Sequence, residues 1–162
     1  MSNAMWETNP NAELVGRLLG GEVQLNFVTT NELVTLQREI INHFGGGHGI
    51  RDQALLDSAA NRPAQAASYD PEMSAAKAGA MLCYAIVRNH PFVDGNKRTA
   101  YFSMLYMLER NGMGFDPDPK EALLAMRGMA AGEIDEDAFT QWVSANAWEK
   151  PAPDTRREGE RP

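Results

Sequence analysis

Apolar residues recur at helical spacing along most of this chain. Leu33, Leu36, Ile40 and Ile41 share one face of a helix that Thr30-Asn31 can cap and that Gly45-Gly46-Gly47 ends. His43 falls in its last turn, where a cation suits the helix dipole. Asp52 opens a second helix containing Leu55, Leu56 and Ala59-Ala60, with Asn61-Arg62-Pro63 as its stop. The segment AQAASYDPE then reads as a loop. A third helix is predicted from about Ser74 to Asn89 and a fourth from Thr99 to Leu108. Both are apolar nearly all round, the pattern of a buried helix. Small residues at Ala76, Gly79-Ala80 and Cys83 leave room for a neighbouring backbone. Glu109-Arg110-Asn111-Gly112 ends the fourth helix on a glycine. Two more helices follow, about Pro119 to Met129 and Asp135 to Ala147, the second with Phe139, Trp142 and Val143 on one face. The acidic run Glu133, Asp135, Glu136, Asp137 suits a helix start. Only Val23 to Val28 reads as a short strand. The fold class is all-α, a compact helical bundle with two central buried helices.

Composition narrows the function. The length of 162 residues argues for one domain, spanning 5–149. Met1 to Ala4, ahead of a second Met5, read as an expression scar, and the tail 150–162, KPAPDTRREGERP, as disordered. Asp and Glu number 22 against 15 Lys and Arg, a net charge of -7 that disfavours nucleic acid as a partner. No apolar run is long enough to span a membrane, and no secretory leader is visible. The single cysteine, Cys83, makes neither an internal disulfide nor a zinc site, so the expected compartment is the cytoplasm. Met81, Met104, Met107 and Met126 read as core filling. His43 and His48 lack a third ligand and read as helix-end and loop residues rather than a metal pair.

One segment carries chemistry. Between the third and fourth helices lies His90-Pro91-Phe92-Val93-Asp94-Gly95-Asn96-Lys97-Arg98, a polar thread in the most apolar part of the chain. Pro91 disfavours helical geometry at His90, which places the imidazole where the third helix stops. Phe92 is an apolar peg that can hold the loop against the core. Gly95 and Asn96 allow a tight turn into the fourth helix, whose first N–H groups have no intrahelical acceptor. A helix start carrying Lys97 and Arg98 is an anion site, most naturally for phosphate. Asp94 offers a hard oxygen suited to Mg²⁺. His90 is the one group in the loop that takes up a proton near neutral pH. Together they describe group transfer from a nucleotide, with phosphates at the helix start and His90 deprotonating a hydroxyl. The segment is not a P-loop, because no GxxxxGK[ST] follows a strand.

HPFVDGNKR resembles the signature of the Fic/Doc family, roughly HPFx[DE]GN[GK]R, with a chance match on the order of 10⁻⁸. GGGHGIRDQALLDSAANRP before the motif and GEIDEDAFTQWVSA near the end are similar to the Doc (death-on-curing) branch, so the resemblance covers about residues 28–147. It implies the all-helical Fic fold and transfer of a phosphate-containing group from ATP, with Mg²⁺, to a hydroxyl of a target protein. By position it implies His90 as the base and Asp94 as the Mg²⁺ ligand, with Gly95, Asn96, Lys97 and Arg98 binding the phosphates. The nucleotidyl-transferring branch carries glycine where this chain has Lys97, and a second arginine where it has Tyr101. Both departures point to the Doc toxin branch, which phosphorylates its target, elongation factor Tu in the known case. Pro91 and Gly95 keep the AMP-transferring pattern, so AMP transfer is the alternative. A catalytically silent helical interaction module is the alternative from another class.

Family members often silence themselves with a helix carrying [ST]xxxE[GN]. Ser68 to Glu72 followed by Met73, and Thr35 to Glu39 followed by Ile40, come nearest here, and both lack the final residue. The expectation is therefore a separate antitoxin. The Gly45–Gly49 stretch reads either as a plain helix end or as part of a flap that pins a target.

Overall fold

Each helix start carries a side-chain or backbone device that the sequence supplies locally. In the computed structural model, which describes residues 24–152, the elements run α1 (Thr30–Phe44), α2 (Gln53–Ala67), α3 (Ala75–Asn89), α4 (Asn96–Arg110), β1 (Met113–Phe115), α5 (Pro119–Ala130), α6 (Glu136–Asn146) and β2 (Ala147–Glu149). Thr29, Asp52, Ser74, Asp118 and Asp135 cap α1, α2, α3, α5 and α6, each accepting a hydrogen bond from a first-turn N–H. Thr29 and Glu32 form a reciprocal capping box, so α1 is capped one residue before the expected Thr30-Asn31. The acidic start of α6 behaves as anticipated, with Asp135 at the cap and Glu136 and Asp137 in the first turn.

The class is all-α, as the periodicity implies, with β1 and β2 as a small two-stranded sheet. Leu25–Trp148 form one compact unit. Its centre is α3, where eleven of fifteen residues are buried and which packs on α2, α4, α5 and α6. Gly79 does the work expected of the small residues, since a Cβ there would sit 3.4 Å from Met104 Cγ and 3.5 Å from the Met104 carbonyl oxygen of α4. Met81, Met104, Met107 and Met126 are all buried in the core. Among the described residues, no helix is long and apolar enough to cross a membrane.

Four expectations need correction. The expected strand Val23–Val28 is absent over its described part, Gln24–Val28. There the Asn111 side chain takes the role of a strand partner, accepting from Asn26 N–H at 2.8 Å and donating to Asn26 O at 3.0 Å. Val23, the expected scar at Met1–Ala4 and the expected tail beyond Ala152 lie outside the described residues. Secondly, α2 does not stop at Asn61-Arg62-Pro63 but runs through a buried Pro63 to Ala67. The missing N–H costs one bond, and the good helix formers Ala64 to Ala67 carry the helix on. Thirdly, α4 begins at Asn96 rather than Thr99. Fourthly, α4 is not buried all round, because Phe102 and Tyr106 lie on an exposed face. These aromatic rings cover neighbours on one side and leave an edge in water. Tyr106 donates to Glu32 at 2.8 Å, and Arg110 joins both groups and also donates to Phe27 O at 2.9 Å. The Arg110 guanidinium beside Glu32 pulls its carboxyl down to about 2. This cluster fastens α1 against α4, the helix that follows the chemistry-bearing loop.

Candidate active site

The loop between α3 and α4 is threaded through the core at one residue. Phe92 is fully buried, and Pro91 is buried beside it, while His90, Val93, Asp94, Lys97 and Arg98 are exposed. The peg is fixed at its backbone as well. Asn96 accepts from Phe92 N–H at 2.9 Å and donates to Phe92 O at 3.0 Å, closing the loop on itself. Its side-chain amide is buried and engaged by the loop, and its backbone N–H is a further group that Asn96 can offer a ligand.

His90 ends α3 in the left-handed region, at φ 50° and ψ 52°. Pro91 thus stops the helix at the expected residue. Gly95, at φ 72°, stands in the N-cap position of α4 and provides no side-chain cap. A Cβ at Gly95 would approach Ile41 Cδ1 to 3.1 Å in a backbone conformation that already favours glycine. The N–H groups of Asn96, Lys97 and Arg98 find no acceptor among the described residues, as the first turn of a helix requires. Lys97 forms no hydrogen bond or ion pair with any described residue. The Arg98 guanidinium lies 4.2 Å from the centre of the Phe44 ring, so it is steadied by a stacking contact rather than by a carboxylate.

Asp94 does not cap α4. Its Oδ1 accepts from Gly95 N–H at 2.8 Å, and its Oδ2 accepts from Gly47 N–H at 3.1 Å. The backbone bonds from Gly47 and Gly95, with the nearby His90 adding a smaller pull, hold its carboxyl below the usual carboxylate range. An ionised, exposed carboxylate whose oxygens keep further lone pairs fits a divalent cation that retains several waters. Among the described residues no three metal-ligating side chains converge, so one carboxylate plus ligand phosphates is the donor set these residues suit.

The segment after α1 is the other half of this site, and sequence reasoning missed most of it. Ile50 pairs with Phe92 in an antiparallel bridge, and Val93 N–H donates to Gly49 O at 3.0 Å. Gly46, at φ 120°, lies so close to the motif that a Cβ would come within 2.6 Å of Asp94 Oδ2. Gln37 of α1 is buried and donates to Asp94 O at 3.2 Å and to Gly47 O at 3.4 Å. A signal for Gln37 existed, since it interrupts the apolar stripe Leu33, Ile40, Ile41 on the buried face of α1. The Gly45–Gly49 stretch is thus more than a helix end; it is hydrogen-bonded to the motif.

A family model described as Fic/DOC family matches residues 27–108, which include α1 to α3, most of α4 and the whole motif. The chain is 32% identical over 110 residues to the protein kinase doc of Escherichia phage P1, covering 68% of this chain and 86% of that protein. It is 40% identical over 103 residues to the toxin Doc of Mycolicibacterium smegmatis, covering 59% of this chain and 76% of that one.

Proposed function

The chain belongs to the Fic/DOC family, and from that premise we propose that it is a Doc-like toxin that transfers the γ-phosphoryl group of ATP to a hydroxyl of a target protein. The observation that carries this reading is the open first turn of α4. Three backbone N–H groups there have no acceptor among the described residues, beside an exposed Lys97 and an ionised Asp94, on the loop that presents His90. Such a cradle suits the terminal phosphates of a nucleotide. The reactive groups then divide the work. His90 takes the proton of the incoming hydroxyl as its oxygen bonds to phosphorus, and ADP leaves with the broken phosphoanhydride oxygen. Lys97 and the α4 start hold the negative charge that builds on the phosphoryl oxygens. Mg²⁺, held by Asp94 and the phosphates, would supply charge neutralisation there. One protein relative bears the name kinase, which agrees with phosphoryl transfer.

Lys97 favours phosphoryl transfer over AMP transfer. A glycine at this position leaves room for a nucleotide's phosphate chain in one orientation. The lysine fills that room and attracts the terminal phosphate of the reverse orientation, which puts the γ-phosphorus beside the hydroxyl. The test supplies ATP labelled on the α- or γ-phosphate with purified elongation factor Tu as the protein target. Label from the γ-position is the expected result, and Lys97→Gly should gain α-label. Label from the α-position alone would establish the AMP-transferring alternative, which rests on Pro91 and Gly95. No transfer, together with no binding of ATP and Mg²⁺ at millimolar concentration, would leave the silent helical module.

Control of this activity is read as external. Thr35–Glu39 on α1 and Ser68–Glu72 in the turns between α2 and α3 both lack the final Gly or Asn of the inhibitory pattern. The proposal is a separate antitoxin in the same cytoplasm, and it is supported by the relative named as a toxin. Expression of this chain alone should slow the growth of a bacterial host of its own type. Unchanged growth at a confirmed protein level would count against both the toxin and its antitoxin.

A further inference from the structure

His90 is the single non-glycine residue with positive φ among the described residues. A residue before proline is pushed toward extended backbone, so His90 holds its left-handed turn against its own local preference. Something must hold it there. Three successive carbonyls at this turn accept hydrogen bonds from one place in the chain. Arg51 Nη2 donates to Asn89 O at 2.9 Å and Arg51 Nε donates to His90 O at 2.6 Å. The backbone N–H groups of Arg51 and Asp52 donate to Pro91 O at 2.7 and 3.0 Å. A cationic donor also suits the last carbonyls of α3.

We propose that Arg51 is a positioning residue for the transfer, its guanidinium fork locking the turn at His90 and so fixing the direction in which the imidazole leaves the backbone. This rests on the reading of His90 as the base. The backbone bonds to Pro91 O do not involve the Arg51 side chain, so with Met at 51 the loop stays docked while the carbonyl of His90 is released. The turn can then relax toward the extended geometry that Pro91 prefers, which swings Cβ and the ring away from the phosphate cradle. The anion-binding N–H groups of α4 lie beyond Phe92 and are untouched. The loss therefore falls on the chemical step, where small misplacements of a reacting group are costly.

The experiment compares Arg51→Met and Arg51→Lys with the parent, by steady-state transfer and by the ring resonances of the three histidines. For Arg51→Met, kcat should fall about 10–100-fold with KM for ATP within about twofold. Arg51→Lys should lie between, because an ammonium lacks the planar fork. The His90 ring signal should shift or split while that of His43 stays. In a His90→Ala background, Arg51→Met should cost nothing further, whereas a loss of general stability would add in full. An unchanged His90 signal in a folded Arg51→Met protein would overturn the proposal whether or not the protein transfers anything. So would an equal loss in the His90→Ala background. A parent that transfers nothing would instead break the reading of His90 as base, and the ring signal would still decide what Arg51 does.

Discussion

Replacing His90 with alanine should lower the rate of transfer by about 10²–10⁴-fold, the usual loss for a general base. The fold should hardly notice. The His90 side chain is exposed, and its structural duties are carried by its backbone. Its N–H donates to Ile86 O at 3.0 Å, and its carbonyl receives Arg51. Alanine keeps both bonds and the same Cβ in the left-handed turn, so unfolding should move by no more than about 1 kcal/mol. ATP binding should persist as well, since the first turn of α4 and Lys97 are unchanged. Three measurements check this: transfer rate, thermal midpoint and affinity for ATP with Mg²⁺. Activity within threefold of the parent would remove His90 from the base position. A parallel collapse of stability and binding would show that the residue serves structure.

Local chemistry is what the sequence exposes most readily. The Thr, Ser and Asp caps, the glycine at the end of α1 and the proline after His90 act within four residues, and each stands where the pattern placed it or one residue away. The motif was legible because polar residues are rarely threaded between two apolar helices. Long-range pairing was not. Nothing in GGGHGIRD says that Ile50 will bridge Phe92, or that Arg51 will reach carbonyls 38 and 39 residues away. Asn96 shows the same limit at short range, since its type fits a phosphate contact or a loop clasp equally well. The apolar count of α4 misled for another reason: Phe102 and Tyr106 are large enough to pack along one edge and remain half in water. Pro63 misled because a proline's local cost can be outweighed by packing of the turns on either side of it.

Phe92→Ala should be the most damaging change to stability within the motif, costing about 3–5 kcal/mol. Phe92 is fully buried in the core cluster and is the one large apolar side chain that anchors the loop from inside. Removing it leaves a ring-sized void lined by close-packed neighbours that cannot collapse without shifting α3 or α4. Against a total stability of about 5–15 kcal/mol, that loss is a large share. The thermal midpoint should drop by roughly 10–20 °C. Asn96→Ala attacks the same anchor from its polar side. It strands the Phe92 N–H and carbonyl, two buried groups worth about 1–3 kcal/mol each when left unsatisfied. The two variants differ from His90→Ala in kind: both should lower stability first, and any loss of ATP binding should follow unfolding rather than precede it. Chemical denaturation with ATP titration at a temperature well below each midpoint separates the two effects. A Phe92→Ala protein that unfolds within about 1 kcal/mol of the parent would refute the peg. An Asn96→Ala protein of parental stability that fails to bind ATP would add the Asn96 side chain to its backbone N–H in the phosphate site.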